Sequence, residues 1–232
     1  MKSKGMVLPF LKPKEGTTNV SRRNFLGIAG GTLAGAALLT VGCDENDLPN
    51  DGSIDLGSGD FGILNFAYAL EQLEAAFYIQ VVNSFYAGAT DLEKAYLTDI
   101  RDHEVIHREF FKNALGTNAI PGLEVNFSAI NFASRDSVLG TAKAFEDLGV
   151  SAYNGAGKLI SSPDYLLLAG KIVSVEARHA ALIRDLISNG SFADNTVLDA
   201  NALEKSREPN EVLAIAGAFL KSKLSAKNLP NN

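Results

Sequence analysis

Between residues 61 and 188 the apolar side chains recur every three or four positions in four separate runs of about 25 residues, with no strand alternation between them. A chain with that period buries its apolar stripes by packing helix against helix. The first run, 61–86, carries Phe66, Leu70, Leu73, Phe77 and Val81 at helical spacing. The second, 90–115, opens with Thr90-Asp91-Leu92-Glu93, a pattern in which Thr and Glu satisfy each other's free backbone N–H groups. The third, 136–161, follows Ser134 and Asp136 as candidate caps, and the fourth, 164–188, follows Ser162-Pro163, a cap with Pro at the first helical position. Runs one and two, and runs three and four, are separated by only a few residues, as antiparallel hairpins require, whereas 116–135 is a long link. The expected fold is all-α: a four-helix bundle over 61–188, built from two antiparallel hairpins with a long crossover. A C-terminal extension, 189–232, holds one short helix expected from Glu211 to Leu224, after Pro209.

Polar residues interrupt the apolar stripes at matching levels. In the second run the inward stripe reads Tyr96, Ile100, Glu104, His107, Phe111, Ala114; in the fourth it reads Ala169, Ile172, Glu176, His179, Ile183, Leu186. Each therefore carries Glu-x-x-His, which places a carboxylate and an imidazole on adjacent turns of one face. Two of the 3 histidines in the chain stand in this relation to a Glu, which makes coincidence a poor explanation. His103 faces away from the stripe, as a surface residue or one that backs a ligand. The third run supplies Glu146 among Leu139, Ala142, Gly149 and Tyr153. In the first run either Glu71 or Glu74 falls between Ala67 and Tyr78. The spacing Glu-x6-Tyr occurs at Glu71/Tyr78 and again at Glu146/Tyr153, each followed by a Glu-x-x-His, so the two halves are an approximate internal duplication. That parallel selects Glu71, with Glu74 as a neighbour or alternative ligand. Tyr78 and Tyr153 are either core aromatics or hydroxyls bonded to the carboxylates.

Four buried carboxylates at one level of a bundle would repel one another strongly. Two divalent cations cancel that charge, and two neutral imidazoles complete the coordination, so Glu71, Glu104, His107, Glu146, Glu176 and His179 form a candidate site for two ions. Cys43 is the only cysteine, which excludes an intrachain disulfide and cysteine-ligated zinc or iron–sulfur centres.

The first 60 residues do not have the pattern of a fold. Arg22-Arg23, within Ser21–Leu26, precede an uncharged Gly/Ala/Leu-rich run to Gly42, too short and too weakly apolar to span a bilayer comfortably. Paired arginines before such a run resemble a twin-arginine export signal over 1–42, and Leu39–Cys43 resembles a bacterial lipobox in which Cys43 is acylated. Residues 43–60 are rich in carboxylates and expected to be a solvated tether. Six of the 21 Lys/Arg and one of the 27 Asp/Glu fall in 1–42, leaving the rest a formal net charge of −11. That charge does not suit nucleic acid. The expected location is the periplasm or cell envelope, with the protein membrane-anchored through its lipid as a monomer or small oligomer.

ALEQLEAAFY (69–78), DHEVIHREFF (102–111), FEDLGVSAYNGAG (145–157) and VEARHAAL (175–182) together resemble the ferritin-like superfamily over about 61–188. More narrowly they look like bacterial exported ferritin-like domain proteins, related to plant desiccation-associated proteins. The resemblance implies the six residues above as ligands of two Fe or Mn ions. It implies less about the reaction; a carboxylate-bridged Fe or Mn pair suits oxygen or peroxide chemistry, catalase-like or oxidase, with iron binding, ferroxidase work or a protective role around a structural metal as alternatives.

Overall fold

The computed structural model describes residues 52–230 of the chain. The expected export residues Arg22 and Arg23, the expected lipidation site Cys43 and residues 43–51 of the acidic tether lie outside the described residues. Within them the chain runs β1 (Ile54–Asp55), α1 (Gly59–Asn83), α2 (Asp91–Leu115), α3 (Arg135–Gly157), α4 (Pro163–Ile187), α5 (Pro209–Ala216) and β2 (Leu224–Ser225). The architecture is the expected all-α bundle of two helical hairpins, α1–α2 and α3–α4, with a short C-terminal helix.

The caps form as the sequence implies. Thr90 and Glu93 make the reciprocal capping box of α2, and Ser134 and Ser162 accept from Ser137 N–H and Tyr165 N–H at the starts of α3 and α4. Asp60, in the first turn of α1, accepts from the backbone N–H groups of Ser161 and Ser162 at 2.7 and 2.9 Å. This ties the α3–α4 turn to the start of α1.

Helix α1 is buried on nearly every side because the crossover lies along it. Two amides on α1 satisfy the backbone of that link. Asn65 donates to the carbonyls of Leu56 and Asn118 and accepts from Ile120 N–H; Gln72 accepts from Leu123 N–H at 2.9 Å. Phe127 and Phe132 of the link pack on Phe77.

Two boundaries differ from the sequence expectation. The ordered domain begins before residue 61: Ile54 and Asp55 pair in parallel with Leu224 and Ser225, and Leu56 is fully buried, so the end of the expected tether belongs to the domain. The C-terminal helix runs from Pro209 to Ala216 rather than Glu211 to Leu224. Beyond it the helically spaced apolar residues are pinned to other elements: Phe219 packs edge-on against Phe145 at 4.7 Å, and Leu220 bridges to Val125 of the crossover.

Residues 189–208 are fastened to the bundle by Arg184 of α4, which is 1% exposed. Its guanidinium reaches Asp147 and Asp194 at 2.6 Å each, as well as Thr196 and the Ser191 carbonyl.

Candidate metal centre

The four helices bring Glu71, Glu104, Glu146 and Glu176 to one level of the bundle, each completely buried, with His107 and His179 beside them. Each helix delivers its residue from its apolar stripe: α1 gives Glu71, α3 gives Glu146, and α2 and α4 each give a Glu-x-x-His pair.

Two sets of ligand-type atoms converge. One comprises Glu71, Glu104, His107 and Glu176; the other Glu104, Glu146, Glu176 and His179; within each set the atoms lie within 4.8 Å of one another. In the first, Nδ1 of His107 lies 2.8 Å from Oε1 of Glu176, 3.5 Å from Oε2 of Glu71 and 3.8 Å from Oε2 of Glu104. In the second, Nδ1 of His179 lies 2.8 Å from Oε1 of Glu104, 3.5 Å from Oε2 of Glu146 and 3.6 Å from Oε2 of Glu176. Glu104 and Glu176 thus each turn one oxygen to each set.

These close approaches are not hydrogen bonds. Oε2 of Glu71, both oxygens of Glu104 and of Glu176, Oε2 of Glu146 and Nδ1 of both histidines are buried with no hydrogen-bond partner. Buried polar atoms left unpaired cost about 1–3 kcal/mol each, more when charged. Gathered as two groups of mixed carboxylate and imidazole donors, they could hold metal ions.

The remaining oxygens of the outer carboxylates are held from across the bundle. Tyr78 of α1 donates to Oε1 of Glu146 on α3, and Tyr153 of α3 donates to Oε1 of Glu71 on α1, both at 2.5 Å. Burial and the adjacent carboxylates raise both phenols well above their ordinary value, so they remain donors.

The electrostatics follow from crowding in a dry interior. Burial, then the charge of Glu176, raises Glu71 and Glu104, and burial brings Glu146 to about 7. Burial also pushes on Glu176, but the imidazoles on either side outweigh it and hold that carboxyl down at about 2. Burial alone would lower His107, yet the carboxylates of Glu104, Glu176 and Glu71 push it up to about 12, and His179 is raised likewise. Protons and metal ions would compete for these carboxyls and imidazoles, so metal binding is expected to weaken as pH falls.

Glu74 is buried but belongs to neither set. Burial and the four neighbouring carboxylates, Glu104 foremost, raise it well above the carboxylate range. It faces Gly149, where a Cβ would stand 3.1 Å from its Oε1. The internal duplication pairs Glu74 with Gly149, so one half supplies the carboxyl and the other the space for it.

His103 is exposed, yet its Nδ1 lies 2.9 Å from Nε2 of His179. The stripe pattern places it off the core face but not against a particular side chain, because the contact crosses between α2 and α4. Toward the far end of the bundle, Ala67, Ala114, Ala152, Ala156 and Ala169 leave a cavity of about 30 Å³, lined almost wholly by carbon and reaching Tyr153. That is room for about two water-sized molecules. Small residues at one level of three or four helices are the sequence signal for it.

Among the described residues no helix is long and apolar enough to cross a membrane. A search among curated proteins gives no match. The sequence profile of the ferritin-like domain matches residues 59–189, the stretch from the first residue of α1 to just past the end of α4. With that match over more than half of its length, and with the paired hairpins and buried carboxylate–histidine cluster in place, the chain belongs to the ferritin-like domain family.

Proposed function

We propose that this chain is an exported, lipid-anchored oxidoreductase that holds two Fe or Mn ions between Glu71, Glu104, His107, Glu146, Glu176 and His179 and acts on oxygen or peroxide. The observation that carries the reading is the set of eight buried atoms without a hydrogen-bond partner that fall into two groups of ligand-type atoms, with Glu104 and Glu176 shared between them. An iron or manganese pair held there supplies reversible two-electron chemistry toward O2 or peroxide.

The chain's own residues prepare the site for that work. Tyr78 and Tyr153 fix the outer carboxylates, so that Oε2 of each stays turned inward. Glu74, buried beside the cluster, has its carboxyl raised well above the ordinary range by burial and by the neighbouring carboxylates, which favours its uncharged form there. The apolar cavity beside Tyr153 has room for a small molecule.

The paired arginines and Cys43 support export through a route that carries folded proteins, followed by anchoring of the chain at the cell envelope. Folding before export lets a weakly bound Mn or Fe ion be installed away from copper and zinc, which bind such donor sets more tightly. The quoted motifs support a likeness to exported ferritin-like proteins of the kind related to desiccation-associated proteins.

The test is redox turnover by the metal-loaded full chain, measured as O2 release from hydrogen peroxide and as O2 consumption with a reductant. Turnover in either assay, abolished in Glu104→Ala with helicity retained, supports the reading. A mineral core formed with excess Fe²⁺ would favour iron storage, and bound metal without turnover would favour a structural role.

A further inference from the structure

The internal duplication makes the two ligand sets near-equivalents, but it fails at one residue that touches a ligand. Glu104 and His107 on α2 correspond to Glu176 and His179 on α4. The residue before the Glu is His103 in one case and Val175 in the other. His103 reaches across to His179, the imidazole of the opposite motif, with Nδ1 2.9 Å from Nε2. Val175 has no donor or acceptor to offer His107. Among the described residues nothing bonds Nε2 of His107.

The two rings lie within 9° of parallel with centroids 5.1 Å apart. That spacing exceeds the nitrogen separation by about two ring radii, so the rings meet edge to edge rather than face to face. This is the geometry of a directed N–H to N hydrogen bond. Nδ1 of His179 faces Glu104 and the second ligand set, so the hydrogen on the other ring nitrogen, Nε2, donates to His103.

From this geometry we infer that His103 is a positioning residue that makes the His179 metal position tighter than the His107 position, so that the two fill in order. The inference rests on the proposed two-ion reading. A ligating imidazole whose second nitrogen donates to an acceptor is fixed in orientation and is a stronger base toward the ion. His179 has that partner and is 5% exposed at its side chain; His107 has none and is 12% exposed. The unequal solvent access works in the same direction.

The experiment is a titration of the metal-stripped full chain with Co²⁺ at one fixed alkaline pH, followed by calorimetry and visible absorption. Wild type is compared with His103→Leu, which removes the acceptor, and His103→Asn, whose amide oxygen restores one. The wild type should bind in two resolved steps. His103→Leu should weaken the first about 10–100-fold and leave the second nearly unchanged. His103→Asn should recover most of the loss. Melting of the three metal-free chains measures separately what the lost bond to Nε2 of His179 costs the fold. Two bound ions with both steps unmoved in His103→Leu, or both weakened equally, would overturn the inference and leave the two-ion reading intact. A single bound ion weakened by His103→Leu and restored by His103→Asn would overturn the two-ion count while supporting the role of His103.

Discussion

Tyr153 donates its hydroxyl to Oε1 of Glu71 at 2.5 Å, from α3 to α1, and so leaves only Oε2 of that carboxylate turned toward His107. The mirrored bond from Tyr78 to Glu146 does the same for the second set. Each tyrosine therefore controls one carboxylate of one set. Tyr153→Phe should lower the affinity of one metal-binding step about 10–100-fold, and Tyr78→Phe that of the other. Competition with a chelator of known affinity measures both, and unchanged binding in both variants would contradict the assignment.

The start of α2 should lend the domain a distinct acid sensitivity. Burial alone would raise Glu93, but the backbone N–H of Thr90 and the Arg135 guanidinium, 2.7 Å away, outweigh it and hold the carboxyl at about 2. A carboxyl depressed on folding stabilises the native state above its ordinary value near 4.5, and that contribution is lost as pH falls from there toward 2. Arg135 is partly exposed, so solvent screening reduces the gain to about 1–2 kcal/mol. Glu93→Gln should lose that amount at pH 7, with the difference shrinking toward pH 2 and vanishing below it. Urea unfolding of the two chains across this range gives the difference directly.

Gly155 marks where the C-terminal extension presses on the bundle. A Cβ there would lie 1.8 Å from the carbonyl oxygen of Arg207, whose own N–H donates to the Ser151 carbonyl at 3.0 Å. Gly155→Ala should destabilise by about 1–3 kcal/mol or more, because backbone rather than a flexible side chain must give way. Gly140, on the same helix, has nothing within 4 Å of such a Cβ. Gly140→Ala should stabilise by about 0.5–1 kcal/mol, and the pair of denaturation midpoints separates crowding from helix propensity.

The helices were legible because their signals are local. Thr90 with Glu93, Ser134, and Ser162 with Pro163 set three helix starts, and period 3.6 ran through four long segments. The strands Ile54–Asp55 and Leu224–Ser225 were not, since two residues carry no alternation and their pairing joins the two ends of the domain. The end of α5 was overrun because Phe219, Leu220 and Leu224 keep a helical spacing, while their partners lie in α3, the crossover and β1. At the centre, a carboxylate in an apolar stripe marks itself, so Glu104, Glu146 and Glu176 could be read without coordinates. The choice between Glu71 and Glu74 rested on the spacing to a tyrosine, and the structure brings Glu71 into a ligand set while turning Glu74 to Gly149. What His103 touches depends on how α2 sits against α4, which no periodicity encodes.

On the reading proposed above, the buried carboxylates and imidazoles hold a pair of metal ions. Elemental analysis by inductively coupled plasma mass spectrometry tests it most directly, on the chain purified from its native compartment beside a Glu104→Ala/Glu176→Ala double variant. The account predicts about two equivalents of Fe or Mn per chain, from the two convergent ligand sets, and loss of both in the variant that removes the shared carboxylates. A wild type without metal, with its helicity intact, would contradict it.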